Sequence, residues 1–362
     1  MNGTRPFVEE DLSKVCRLYQ KVFSGGRAPS EEFAAYLAEV FLQNPWRRDD
    51  LPSLVYEQED QRITGFLGVI PRRMIMKGRS ITVAVGSQFM VDPDSRSSFA
   101  GVRLIKALFA GPHDVAMTDG ANAKARQVWE AFGGATVPIY SIYWTRMFRP
   151  CLEAVNRFAE RSGLRAMAIV APLGRMLDTV VASHMAAYRL RRPHLRSEEE
   201  TDVDKICAYL AKLSAGASLR PEYDPGSLAW LLRIASQKQR FGPLRNEVLC
   251  TEEGHLVGWC LYYLNVGGVS QVLQIAALPN DVSSVLDHVF FIARRQGSTA
   301  IAGRIEPRFL HEFYHRNCRF SCGSAMLVQA KDQDILRAIS TGDAFLSRLE
   351  GEWWNRFSEL AQ

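Results

Sequence analysis

Residues 86–134, GSQFMVDPDSRSSFAGVRLIKALFAGPHDVAMTDGANAKARQVWEAFGG, change period twice, and their reading decides the fold. A β-rich run ends at Val91, where Asp92-Pro93 stops it because proline cannot donate to a strand ladder. A polar loop with serine and glycine then opens onto an amphipathic helix, followed by a second strand to Thr118 and a second helix closed by Gly133-Gly134. A helix starting near Ser98 leaves its first backbone N–H groups without intrahelical partners, and its dipole favours an anion there. Ser97, Ser98, Ala100 and Gly101 are small enough to let a phosphate approach, and Arg96 can hold one through two N–H groups. The plain alternative is an ordinary capped helix with no ligand.

Upstream, Leu12, Val15, Leu18, Tyr19, Val22 and Phe23 recur at helical spacing after the acidic first turn Glu9, Glu10 and Asp11. A second helix is expected from Ser30 to the Asn44-Pro45 breaker. The runs SLVYEQ, ITGFLGVIP and RSITVAVGSQFMV, separated by EDQ and KGR, then read as a three-stranded meander leading into Gly86.

Downstream, the same order of signals returns. EEDLSKVCRLY from Glu9 is similar to ETDVDKICAYL from Glu200, and RITGFLGVI from Arg62 to HLVGWCLYY from His255. VAMTDGANAKARQVWEAFGG lies over AIAGRIEPRFLHEFYHRNCRF, with Trp129 on Tyr314. Matches in one order at nearly one offset imply two copies of an α/β unit. The expected organisation is a cofactor-binding unit over 1–148, a helical connector over 149–195, a second and degenerate unit over 196–330, and a helical tail over 331–362. Pro150, Pro172 and Pro193 punctuate the connector, and Trp353 and Trp354 in the tail read as packing anchors.

A chain of 362 residues suits two domains, and 47% hydrophobic with 23% charged residues is ordinary for a soluble globular protein. No secretory leader opens it, so a cytoplasmic location is expected. Seven cysteines without a CxxC pair suit reduced thiols. A net charge of +5, dispersed, argues against nucleic acid. The apolar region from Ala166 is broken by Pro172, Arg175 and Asp178 and fails as a membrane span, an interdomain or interfacial helix being the remaining readings.

The order helix, helix, meander, strand, loop, helix, strand, helix, strand resembles the GNAT (GCN5-related N-acetyltransferase) superfamily. The Val-x-Pro end of the strand, the loop from Ser95 to Gly101, and Asn122, Ala125, Trp129 and Gly133 carry the resemblance; Phe99 stands where the family has a glycine. It implies a tandem GNAT, acyl-CoA N-acyltransferase fold: α/β, with a mixed, mostly antiparallel central sheet flanked by helices in each copy. It also implies acetyl-CoA or another acyl-CoA as co-substrate, with the pyrophosphate on Arg96, Ser97, Ser98, Phe99, Ala100 and Gly101. The pantetheine arm would lie along the edge of Phe89, Met90 and Val91, next to Asn122 and Trp129. Trp129 replaces a tyrosine that often protonates the departing thiolate, and an indole N–H cannot serve as that acid.

Attack of an amine on a thioester needs a base to take the ammonium proton. Asp119 is the expected base, with Glu57 and Asp92 as further candidates, and Tyr140 and Tyr143 are the expected replacement acids. The expected acceptor is a small-molecule or peptide amine. An acyl carrier protein facing the basic hairpin Arg72, Arg73, Lys77 and Arg79 is the alternative donor, and a non-catalytic binding or scaffold module the alternative class. In the second copy LPNDVSSVLDH has no glycine and sets Asp281 and Asp287 where a phosphate would be repelled, leaving it to shape the cleft or a homodimer contact. HEFYH, residues 311–315, matches the HExxH zinc pattern, with Cys318 and Cys322 behind it. Since the repeat gives that helix core duties, no metal is expected.

Overall fold

In chain order the elements of the computed structural model are β1 (Gly3–Pro6), α1 (Leu12–Phe23), α2 (Glu31–Phe41), β2 (Leu54–Glu57), β3 (Ile63–Met76) and β4 (Arg79–Val91). Next come α3 (Ala100–Phe109), β5 (Val115–Ala121), α4 (Ala123–Ala131), β6 (Ala135–Thr136), β7 (Ile142–Met147) and α5 (Pro150–Ser162). Then follow β8 (Arg196–Glu199), α6 (Val203–Leu213), β9 (Leu219–Pro221), α7 (Pro225–Ser236), β10 (Leu244–Cys250), β11 (Leu256–Tyr263) and β12 (Val269–Ala277). The last are α8 (Val282–Arg295), β13 (Ala300–Arg304), α9 (Leu310–His315), β14 (Arg319–Cys322), β15 (Ala325–Ala330) and α10 (Gln333–Ser340). The structure describes residues 3–23, 31–162, 174, 176–178, 180, 184, 185 and 188–355; of residues 31, 32, 96–98, 156, 157, 159–162 and 239 it describes the backbone alone. Most of the apolar region from Ala166 lies outside the described residues, and no described helix is long and apolar enough to cross a membrane.

Two compact units interleave along the chain: Met1–Ser141, Ala217–Arg240 and Ser324–Gln362 form the first, and Ile142–Gly216 with Phe241–Gly323 the second. Both sheets are mixed and mainly antiparallel, as expected. The first has the order β1-β2-β3-β4-β5-β15-β6 with β9 on the end of β3, and the second β14-β7-β13-β12-β11-β10-β8. The expected boundaries at 148 and 195 both fall inside the second unit's first segment, and the expected tail from 331 belongs to the first unit. The reason is strand exchange. β7 leaves the first half of the chain to pair with β13 and β14, and β15 returns from the last part to sit between β5 and β6.

Among the described strands, β4 pairs with β5 and β12 with β13 in parallel. In the first unit, α3 and α4 cover one face over Leu67, Ala84, Leu104, Leu108 and Trp129. Phe66 packs edge-on against Phe7 and Phe41 in a separate aromatic contact. In the second, Trp144 of β7 stacks on Phe313 at 4.5 Å and donates from Nε1 to the Arg304 carbonyl at 2.9 Å, so the exchanged strand carries a core anchor. All seven cysteines are free thiols.

A chain cut after Phe148 lacks β15 and leaves β5 and β6 without the strand between them. We expect it to show no cooperative thermal transition by circular dichroism, and a chain beginning at Arg149, which lacks β7, to behave alike. A second expectation concerns His288 of α8, which is 3% exposed and whose pKa burial pushes down to about 4. Its unfolded counterpart titrates near ~6.5, so stability is fully present above that pH and is lost as pH falls toward the folded value, by up to roughly 3 kcal/mol. Urea titrations between those limits should show a shallower loss for His288→Leu than for the parent chain.

Candidate active site

The parallel pairing of β4 and β5 is confined to Val83–Val85 against Val115–Met117. Beyond it the strands diverge, because β4 carries a bulge: Phe66 faces Met90 and Gly68 faces Ser87, one residue more on β4 than on β3. Gln88, the extra residue, has a φ of 51°. A bulge of this kind bends its strand and re-aims the local backbone. The opened wedge holds a cavity of about 230 Å³ lined by Phe23, Gly86–Phe89, Thr118, Gly120–Asn122, Ala125, Trp129 and Glu352. This is below the usual ~300–1,000 Å³ of ligand pockets, enough for the end of an extended chain and not for a nucleotide.

Glu352 is the residue that the sequence reading missed. It is buried, its Oε1 accepts from the Thr118 hydroxyl at 2.7 Å, and its Oε2 faces the Gln88 N–H at 3.4 Å. Its own backbone N–H donates to the Asp119 carboxylate at 2.7 Å. That approach requires Gly351, since a Cβ there would stand 2.3 Å from the Asp119 carboxyl carbon. Three residues on from Glu352, Asn355 accepts from Ser87 Oγ at 3.0 Å. Trp353 and Trp354 are buried beside it, with Lys238 Nζ donating to the Trp353 carbonyl at 3.2 Å and Trp354 edge-on to Trp230. Of the expected helical tail, the α-helix runs only over Gln333–Ser340; irregular chain follows, with a short 3-10 turn at Trp353–Asn355, and Glu352 of this segment lines the cavity. A signal existed in LEGEWW: acidic residues embedded in an apolar, aromatic run are candidates for paired, buried charge.

The expected cofactor residues divide. Phe89, Asn122 and Trp129 line the cavity. Met90 is buried. Asn122 also caps α4 through its side-chain oxygen, which accepts from Ala125 N at 3.0 Å. Val91 packs toward Gly101, where a Cβ would come within 3.1 Å of the Phe89 ring, so the smallness of Gly101 serves helix-to-strand packing. The helix begins at Ala100 rather than near Ser98, preceded by a 3-10 turn over Pro93–Ser98. The side chains of Arg96, Ser97 and Ser98 lie outside the described residues. Phe99 takes the left-handed conformation (φ 54°) that a glycine would adopt without strain, and its side chain is 68% exposed, so it does not turn into the core. Ala100, which is buried, and half-buried Gly101 and Val102 present the first-turn N–H groups, ahead of the Arg103-to-Phe99 bond.

The expected acid and base residues lie elsewhere. Asp119 is fully buried, and its carboxylate holds the 351–352 backbone instead of lining the cavity. Tyr140 is fully buried too; its hydroxyl donates to the Ala344 carbonyl and accepts from Ala344 N at 3.2 Å. Tyr143 is on β7 in the second unit, under Gly323. Glu57 is bonded to Arg5, at 2.8 Å, which with Lys14 holds its carboxyl below the usual range. Burial would raise Asp92, but Lys21 at 2.6 Å and the Asp94 N–H outweigh it and bring it down. The basic hairpin is also committed: Arg72 is buried over Trp46, Arg73 pairs with Glu222, Lys77 with Asp334 and Arg79 with Asp332. Asp287 is neutralised by Arg316 at 2.8 Å rather than standing as a bare charge.

Neither a protein-family model nor any curated protein sequence matches the chain. Solved structures do. The chain is similar to a protein of unknown function from Enterococcus faecalis V583, described as a probable N-acyltransferase, with TM-score 0.61 and 10% identity over 91% of this chain and 73% of that one. A GCN5-related N-acetyltransferase from Anabaena variabilis ATCC 29413 matches with TM-score 0.61 and 10% identity over 93% and 75%. Another from Kribbella flavida matches with 0.55 and 12% over 91% and 72%. At such identities the likeness establishes the fold, which is that of the GCN5-related N-acetyltransferases.

Tyr140→Phe separates a structural hydroxyl from a catalytic one. It should lower stability by about 1–3 kcal/mol in urea, because the Ala344 amide is left unsatisfied, while any activity of the folded protein is retained.

Proposed function

We propose that the first unit is an acyl-CoA-dependent N-acyltransferase that moves an acetyl or other acyl group to a primary amine. The observation carrying this reading is the Glu352 carboxylate facing a cavity in the β4–β5 wedge. The fit to the co-substrate rests on that wedge: beyond Val85 no described strand pairs with β4 on its β5 side, which suits an extended amide-bearing arm. The α3 start adds N–H groups for phosphate at Ala100, Gly101 and Val102.

Bound there, acyl-CoA supplies a thioester carbonyl carbon and a thiol leaving group. Glu352, accepting hydrogen bonds with both oxygens in the manner of an ionised carboxylate, takes the proton from the amine nitrogen. Asp119 acts through it, as a positioning residue that fixes the Glu352 backbone. Trp129 and Phe89 exclude water from the wedge, and Trp129 supplies no acid. The acceptor is a small-molecule or peptide amine. A carrier-protein donor is the weaker reading because the hairpin cations already have acidic partners. A binding module without catalysis is favoured by one observation, the engagement of both Glu352 oxygens within the protein.

Melting curves with coenzyme A and acyl-CoAs, followed by amine screens for released thiol, decide among these. Acyl-CoA at a hundredfold excess over Kd should stabilise the chain by roughly 2.7 kcal/mol. Glu352→Gln should keep that shift and lose about 10²–10⁴-fold in turnover. A shift without turnover on any amine would leave the binding module; no shift with any acyl-CoA would remove the cofactor assignment.

A further inference from the structure

The HEFYH segment is not absorbed by the first unit's chemistry. It lies in the second unit, on α9, a helix of one and a half turns followed by Arg316. His311 and His315 are exposed on one face, and their Nε2 atoms stand 2.8 Å apart. Two imidazole lone pairs cannot face each other at that distance without a proton or a cation between them. In the metal-free chain a proton fills the role, one Nε2–H donating to the other Nε2.

The surroundings fix which ring accepts. Glu312 Oε1 lies 3.6 Å from His311 Nδ1, the distance of an ion pair that a small rotation converts to a hydrogen bond. The other carboxylate oxygen is tied down, accepting from Arg316 Nη1 at 2.7 Å and from the Ser283 hydroxyl at 2.6 Å. Arg316 is itself buried and bonded to Asp287 of α8 at 2.8 and 3.0 Å. A proton on His311 Nδ1, toward Glu312, leaves an unprotonated Nε2 to face its partner. A carboxylate behind one imidazole nitrogen with a free lone pair on the other is the usual outer support of a metal-binding histidine.

This excludes the zinc-protease reading of the motif, in which the glutamate would work on a metal-bound water: Glu312 stands behind the ring, held by Arg316 and Ser283. Among the described residues no group of three or more His, Cys, Asp and Glu converges on one point, so a closed structural zinc cage is excluded there as well. What the arrangement fits is a two-nitrogen clip open to solvent.

We propose that His311 and His315 chelate a divalent transition-metal ion that prefers right-angled ligands, Ni(II) or Cu(II) rather than Zn(II). The bite carries the choice. With metal–nitrogen bonds of about 2.0–2.1 Å, nitrogens 2.8 Å apart subtend about 85–90° at the metal. A tetrahedral ion, at about 109°, needs them about 3.3 Å apart; square and octahedral geometries accept the pair as it stands. On binding, the His315 proton moves from Nε2 to Nδ1 through solvent, both Nε2 lone pairs go to the metal, and water completes the coordination. No proton is gained or lost overall.

The test is calorimetric titration of the full chain with Ni(II) chloride at neutral pH, in a Cys322→Ser background that removes the exposed thiol. One equivalent should bind saturably, and His311→Ala or His315→Ala should weaken it at least about tenfold or abolish it. Glu312→Gln should weaken it about 10–100-fold, and Zn(II) should displace Ni(II) only in excess. Cu(II) electron spin resonance should show two coupled nitrogens, reduced in each histidine variant. Absence of saturable binding, Ni(II) binding indifferent to both histidine variants, or preference for Zn(II) would overturn the proposal. Melting curves accompany each variant; should Glu312→Gln not fold, the two exposed histidine variants still decide.

Discussion

Everything at the candidate site follows from a pairing that stops. Two parallel strands hydrogen-bond for three residues, Val83–Val85 with Val115–Met117, and then separate. Each residue beyond that point carries backbone groups that are costly to bury unsatisfied. The protein answers from far along the chain: Glu352 turns to the Gln88 N–H, and Asn355 engages Ser87. The wedge is therefore stable only because part of it is filled by residues more than two hundred positions away, and the unfilled part is the cavity.

That filling is specified at several levels. The left-handed Gln88 in the β4 bulge aims an amide into the gap, Gly351 lets the Asp119 carboxylate reach the passing backbone, and buried Trp353 and Trp354 fix the chain on either side of Lys238 and Trp230. Asp119 and Glu352 show how two buried carboxylates at one place take different roles. The first spends its acceptor on a backbone N–H and holds the geometry, while the second faces the open space.

The second unit repeats the interrupted parallel pair, β12 with β13 over Val269–Gln271, and a bulge on β12 between its pairings to Leu261 and Tyr262. Its loop has no glycine, and α8 spends Ser283 and Asp287 on Glu312 and Arg316. That polar network orders α9 and its histidine pair.

The local part of this was legible in the sequence. The helices of α1 and α2, the meander, the strand-loop-helix from Gly86 and the mixed sheet all rest on short-range periodicity, which residues 86–134 and their upstream neighbours carry in full. Asn122, Phe89 and Trp129, which line the cavity, sit on or beside those elements. What only tertiary structure decided is long-range pairing. No periodicity states that β15 enters between β5 and β6, that β7 belongs to the second sheet, that the Tyr140 hydroxyl is consumed by Ala344, or that Glu352 rather than Asp119 faces the cavity. Those outcomes depend on which chain segments satisfy buried backbone and carboxylate groups, and such partners are set by proximity in space, which sequence spacing does not encode.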